Sequence, residues 1–337
     1  MYLSDTLVSI FAAGLVLVEL GGIVSAVHAV MGSRSSQGAI AWAIALVTLP
    51  LITLPLYWIF GRTKFHGYVK TLREGTQDHS EEVESILHRI HSEHAVPTAQ
   101  LPPDLNVYAN LDGLPFTTGN DCELLIDGEA TFSAILASVD NAEQYILMQY
   151  FIVKDDQLGR EVQSRLLAKA RAGVKVYFLY DEIGCHKLPH TYLESLSVAG
   201  AVVSGFKTTQ GRGNRFQLNF RNHRKITVVD GKEAFVGGHN IGDEYMGRDR
   251  RFGRWRDTHV KVTGPVVRQI QVSFQQDWFW ATRQALEVDW TAHLSEHGQQ
   301  NALSLSTGPD DEIGCCSLMF VHAIHSARNR IWIASPY

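Results

Sequence analysis

Apolar and polar residues divide this chain into zones of different period. Leu7 to Val30 is almost continuously apolar, and Ala39 to Phe60 is a second run of similar length. Each holds the roughly 20 residues that cross ~30 Å of hydrocarbon. No basic residue precedes the first run, which is longer than the apolar core of a signal peptide. The pattern predicts a two-helix transmembrane hairpin over 1–62, with spans at about 7–30 and 39–60 and a bend at Pro50 and Pro55. Glu19 lies inside the first span, where a carboxylate costs roughly 2.5–3.5 kcal/mol on insertion scales. Arg62, Lys64, Lys70 and Arg73 crowd the exit of the second span, whereas the connecting loop carries only Arg34. Positive residues stay in the cytoplasm, so everything after residue 60 is expected there.

Beyond the membrane the period changes to that of helices and strands. Residues 63–105 read as a juxtamembrane helix and linker. Val83, Ile86, Leu87 and Ile90 share a helical face with Ser80 at its start, a face suited to packing on a domain. Pro97, Pro102 and Pro103 mark the linker. Residues 106–295 then alternate helix with strand. Phe132, Ile135, Leu136 and Val139 form one helical stripe, and "YILMQYFIV" follows as an apolar strand. Leu158, Val162, Leu166 and Ala170 form a second stripe, closed by Gly173, and "VKVYFLYDEIG" is another buried strand. Such alternation predicts an α/β fold, a parallel or mixed sheet covered on both faces. Residues 296–337 repeat the first helix–strand unit, with Ala327 and Ile331 spaced as Ala142 and Ile146 are, and end within the strand signal. They read as the start of a second, incomplete domain of the same kind.

Composition narrows the function. The net charge of −5 argues against a generic nucleic-acid binder. Residues 206–257 are the exception, with twelve Lys or Arg against six acids, a net +6. The four cysteines form no C-x-x-C pair and match no histidine spacing, so they read as thiols of a reducing compartment, and neither a metal nor a cofactor is expected.

The chemistry concentrates in "NHRKITVVDGKEAFVGGHN", residues 222–240. Two β-branched strands flank Asp230-Gly231, read as a two-residue hairpin turn. Opposed residues then sum to 461, pairing His223 with Gly238 and Lys225 with Val236 and setting His223, Lys225 and Asn240 on one face. Ile226, Val228 and Phe235 fall on the other face as core. Gly237 and Gly238 weaken a strand unless space is needed. The reading is a floor free of side chains beside an imidazole, an ammonium and a carboxamide, sized for a tetrahedral oxyanion.

His223, Lys225, Asp230, Gly237, Gly238 and Asn240 fit H-x-K-x(4)-D followed by G-G-x-N, and resemble the HKD signature of the phospholipase D superfamily. Gly238 departs from the serine common there. With the paired apolar runs, "GRTKF", "NIGDEY" and "WRDTHVKVTGPVV", the chain resembles the first two-thirds of bacterial cardiolipin synthases. That resemblance implies a phospholipase D-like α-β-α sandwich at the bacterial inner membrane, multi-pass, with its catalytic domain cytoplasmic. It implies phosphatidyl transfer between two phosphatidylglycerols through a phosphohistidine, giving cardiolipin and glycerol. His223 would be the nucleophile or its acid–base partner. Lys225, Asn240 and Gly238 would bind phosphate, Asp230 would belong to the catalytic set, and Asp257 would orient it. The alternatives are a phosphodiester hydrolase, or a chain that only binds phosphate for want of the second HKD motif. Expected partners are anionic phospholipid, the membrane, and a second HKD domain in cis or a homodimer mate, with no nucleic acid.

Overall fold

The computed structural model describes residues 2–32, 36–61, 66–78, 80–207, 221–308, 311 and 314–334. The basic residues Arg212 and Arg215 lie outside them, as do Arg34, Arg62 and Lys64. The chain forms two compact units, the first extending to Val69 and the second built mainly from 70–207 and 221–307.

The first unit holds α1 (Tyr2–Gly32), α2 (Ser36–Thr48) and α3 (Pro50–Phe60). Within α1, Thr6–Gly32 is long and apolar enough to cross a membrane, and it is the one such helix among the described residues. The second apolar run departs from the expected straight span. At 1.5 Å per residue, α2 and α3 are roughly 20 and 16 Å long, each short of ~30 Å. The chain reverses at Leu49, because Pro50 offers no N–H to carry the helix through. Thr53 Oγ1 reaches back across the reversal, donating to Ala45 O at 2.9 Å and Leu49 O at 2.7 Å. Both short helices lie against the second half of α1. Gly22 faces Leu46 O and Pro50 so closely that a Cβ there would come within 2.5 and 2.9 Å of them. Further along, Trp58 Nε1 donates to Ser25 Oγ at 3.2 Å, and His28 Nδ1 lies 2.6 Å from Tyr57 Oη. α3 therefore runs alongside α1 in the same sense, ending near the end where α1 ends.

α4 (His66–Asp78) spans the boundary, and the second unit continues through α5 (Ser80–Ser92), α6 (Pro103–Asp112), β1 (Thr117–Ile126), α7 (Asp127–Asp140), β2 (Tyr145–Tyr150), α8 (Gln157–Arg171), β3 (Lys175–Asp181), α9 (His190–Val198) and β4 (Val202–Phe206). Then come β5 (Ile226–Val229), β6 (Glu233–Gly237), β7 (Thr258–Thr263), α10 (Val267–Thr282), β8 (Gln300–Ala302) and α11 (Cys315–Ser326). One eight-stranded sheet has the order β4-β3-β2-β5-β6-β7-β1-β8. β4, β3 and β2 are parallel, and from β5 onward every pairing is antiparallel.

Both faces are covered, as a strand buried at all six positions (β2) requires. The expected stripes on α7 and α8 pack with Tyr192 and Leu196 of α9 onto Ile146, Met148, Tyr150, Val176 and Phe178. On the other face α10 meets the sheet through Tyr145 Oη–Gln271 and the Tyr177–Trp278 ring contact. The α5 face packs as expected: Ile90 is buried, and Val83, Ile86 and Leu87 line an apolar cleft with Val272 and Phe279 of α10. Residues 331–334, read as strand from sequence, form none, and residues 335–337 of that signal lie outside the described residues.

Candidate active site

The three parallel strands end at one edge of the sheet, and β5, running opposite to them, begins there. Crevices outside the carboxyl ends of parallel strands are the usual ligand sites of α/β sheets. Arg221–Lys225 lies in this position, between Phe151 beyond β2 and Asp181 at the end of β3. The His223 ring stacks on Phe151, centroids 3.8 Å apart at 19°, with its outer side open to solvent. Lys225 Nζ stands 5.4 Å over the same ring and donates to His223 O. Imidazole and ammonium thus share one aromatic platform.

This setting perturbs both groups. Partial burial, helped by the charges of Lys225 and Arg221, lowers the His223 pKa, against the opposing pull of Asp181. Burial pushes Lys225 down to about 8, with Asp257 and Asp181 acting the other way. His223 is therefore held neutral near pH 7, while Lys225 remains mostly cationic.

The hairpin register differs from the expected one. Ile226 pairs with Val236 and Val229 with Glu233, so opposed numbers sum to 462. The loop holds three residues, Asp230, Gly231 and Lys232, with Asp230 and Gly231 at φ +52° and +66°. A one-residue slip moves side chains to the other face. Phe235 consequently joins Val229 in the α7–α8 core instead of siding with Ile226 and Val228. His223 and Lys225 escape this consequence because they precede the ladder.

The glycines do not leave a bare floor. A Cβ on Gly238 would come within 2.1 Å of Asp257 Oδ1, and one on Gly237 within 2.6 Å of His259 Cα. The space belongs to side chains of the next strand, and through Gly238 the Asp257 carboxylate enters the site. Asp257 is fixed by the Thr258 N–H at 2.7 Å. His259, buried, lies with its Nδ1 3.2 Å from that of buried His239. Burial drives its pKa to about 3, so it adds no positive charge beside Lys225.

Asn240 is buried, and its Oδ1 accepts the Ile152 N–H at 3.0 Å while Nδ2 donates to Tyr245 Oη at 2.9 Å. It fixes the residue next to Phe151 and keeps one N–H beyond these contacts. Asp230 stands elsewhere. It lies at the far end of β5 from His223, buried, and accepts the N–H groups of Glu143, Gln144 and Tyr145 at 2.8 Å each. This correction has a plain cause: a carboxylate in the hairpin loop reaches the loop that leads into β2, not the opposite edge of the sheet. Phe151 and Asp181 went unnoticed in the sequence, since nothing in an apolar strand marks the residue beyond its end.

Residues 135–278 match the family described as "Cardiolipin synthase, PLD-like domain", and 22–62 match "Phospholipase_D-nuclease N-terminal". Cardiolipin synthase A of Pseudomonas fluorescens is 46% identical over 94% of this chain, which spans 66% of that relative. Cardiolipin synthase A of Pseudomonas syringae is 46% identical over 95% of this chain, which spans 67% of it. The chain belongs to the bacterial cardiolipin synthases, in the phospholipase D superfamily. It spans about two-thirds of the length of these relatives. Among solved structures, NucT from Helicobacter pylori aligns with a TM-score of 0.39 at 14% identity, over 48% of this chain and 98% of that one. In this chain the HKD motif is thus split: His and Lys at the strand-end edge, Asp in the opposite turn.

Proposed function

We propose that this chain carries one half-site of a phosphatidyltransferase that converts two phosphatidylglycerols into cardiolipin and glycerol. The observation that carries the reading is the pairing of the His223 imidazole and the Lys225 ammonium on the Phe151 ring, with the Asp257 carboxylate against Gly238. A neutral His223 nitrogen attacks phosphorus, the phosphorus–oxygen bond to the glycerol headgroup breaks, and glycerol leaves after gaining a proton. The hydroxyl of a second phosphatidylglycerol then attacks the phosphohistidine and gives its proton to the base that protonated glycerol, the phosphorus–nitrogen bond breaks, and cardiolipin forms. Lys225 and the spare N–H of Asn240 bind non-bridging oxygens, whose charge grows at the pentacoordinate stage. Asp257 orients the cationic side of the site. The proton for the leaving oxygen comes from the histidine of a second HKD motif, in cis or from a partner.

Membrane association follows from α1, and the orientation is proposed from the charges. The chain leaves the first unit beside the end of α1, where Arg62, Lys64, Lys70 and Arg73 follow. Positive residues there favour a cytoplasmic catalytic unit, next to its lipid substrates.

His223→Ala, in the protein expressed from its native reading frame, is expected to abolish cardiolipin formation from labelled phosphatidylglycerol without lowering the melting temperature. Retained product would remove His223 from the mechanism. Phosphatidic acid in place of cardiolipin in the unaltered protein would turn the reading to hydrolysis.

A further inference from the structure

Arg221–Lys225 makes no sheet ladder, yet chemistry at His223 requires the segment to be fixed. Alternate residues supply the fixing. His223 and Lys225 turn to Phe151, whereas Asn222 and Arg224 turn to α10, where Asp277 is buried. Asp277 Oδ2 accepts from Asn222 Nδ2 and from Gln149 Nε2, both at 2.8 Å. Arg224 Nη1 lies 2.7 Å from each Asp277 oxygen. Asn222 Oδ1 accepts the Arg224 N–H at 3.1 Å, closing the loop on itself. From the neighbouring strand, Asp181 Oδ2 accepts the Asn222 N–H at 2.9 Å, and its Oδ1 accepts the N–H groups of Ile183 and Gly184.

We propose that Asp277, on α10, is a positioning residue of the transfer site, setting His223 and Lys225 through Asn222 and Arg224. This rests on the reading that His223 and Lys225 do the chemistry. Asp277 belongs to neither the HKD motif nor the G-G-x-N sequence. Stability gives a poor reason for a charge pair here: an apolar pair of similar volume commonly does as well or better. Geometry gives a good one. Two oxygens gather side chains from β2, from Asn222 and from Arg224, so the residue on each side of His223 is tethered to the same helix. In-line displacement is sensitive to such placement, and a misplacement of about 1 Å costs about 10²-fold in rate.

The test compares variants of the full protein in phosphatidylglycerol mixed micelles. Arg224→Met/Asp277→Leu replaces the pair with apolar residues. It is expected to melt below the parent, because the buried Asn222 and Gln149 amides lose their shared acceptor, and, assayed while folded, to lose about 10²-fold in kcat and to change KM little. The acid limb of its kcat/KM profile should move to higher pH, because His223, loosened from Phe151, regains solvent while Lys225, Arg221 and Asp181 stay in the sequence. A variant that, assayed while folded, keeps both kcat and the acid limb overturns the proposal. If it does not fold, Asn222→Ala, which leaves both charges paired, is read instead: a loss of about tenfold in kcat at the parent melting temperature supports positioning, and an unchanged kcat overturns it. His223→Ala, run in parallel, separates the two levels. An active His223→Ala defeats the underlying mechanism; a dead one beside normal Asp277 and Asn222 variants defeats only the positioning role.

Discussion

At the scale of single residues, the site is governed by who occupies the space beside a glycine and by what burial does to two basic groups. A Cβ at Gly237 meets the His259 backbone, which cannot swing away, whereas one at Gly238 meets only the carboxylate end of Asp257. Gly237→Ala is therefore expected to cost about 1–3 kcal/mol of stability by overpacking, read as a drop in melting temperature. Gly238→Ala should leave stability nearly intact and lower kcat/KM by about 10- to 10²-fold, as Asp257 is displaced. The reverse ranking in a thermal melt and lipid assay would contradict this placement. The pH dependence follows from the two shifts. The His223 pKa is lowered, so the neutral nucleophile survives to a lower pH than for an ordinary histidine, and activity falls as pH drops through that value. Lys225 loses its charge near pH 8, so the basic limb of kcat/KM is expected at about 8, since kcat/KM reports the free enzyme. Lys225→Arg, always charged, should remove the basic limb; a limb that persists would belong to another group.

At the scale of elements, the hairpin shows which parts of a motif travel together. Asp230 and His223 stand at fixed spacing in sequence, and a strand carries them to opposite edges of the sheet. Three amides, that of buried Tyr145 among them, end on the Asp230 carboxylate. Removing it leaves the buried Tyr145 donor unsatisfied, at a cost of about 1–3 kcal/mol, while water can serve the other two. Asp230→Ala should thus lower stability by roughly 1–3 kcal/mol in urea unfolding, while the folded fraction retains its turnover. A stable but inactive Asp230→Ala would return the residue to the chemistry. The hairpin was legible as a hairpin because β-branched strands flank Asp-Gly. Its register was not, since a two-residue and a three-residue loop fit the same letters, and the observed register is the one that gives Phe235 a place in the core.

For the whole molecule, hydropathy counted apolar residues correctly and missed a reversal. Two runs of similar length became one long helix and two short ones, because a proline in mid-run admits a turn when another helix is at hand to pack against. The apolar letters are the same either way. If the catalytic unit faces the cytoplasm, exposed Cys316 should react with a membrane-impermeant maleimide only after spheroplasts are permeabilised. If α1 is then the one crossing, a cysteine introduced at Ser4 should react in intact spheroplasts. A protected Ser4→Cys would restore the two-span hairpin. The amphipathic face of α5 was readable as a packing face, because four apolar residues at helical spacing need cover. Its partner, α10, was not readable, since the two are far apart in the chain.

The sequence by itself determined the classes of things: an apolar entry to a membrane, alternating helices and strands with both sheet faces buried, and a histidine, lysine and asparagine at the spacing of a phosphoryl-transfer motif. These depend on short-range periodicity and on the chemistry of side chains, which the order of residues carries directly. Tertiary structure alone decided that Phe151 is the bed on which His223 lies, that Asp257 fills the space beside Gly238, and that Asp277 grips the residues on either side of the imidazole. Each is a contact between segments distant in the chain. Such contacts follow from how strands end and which loop closes each turn, and no local pattern records them.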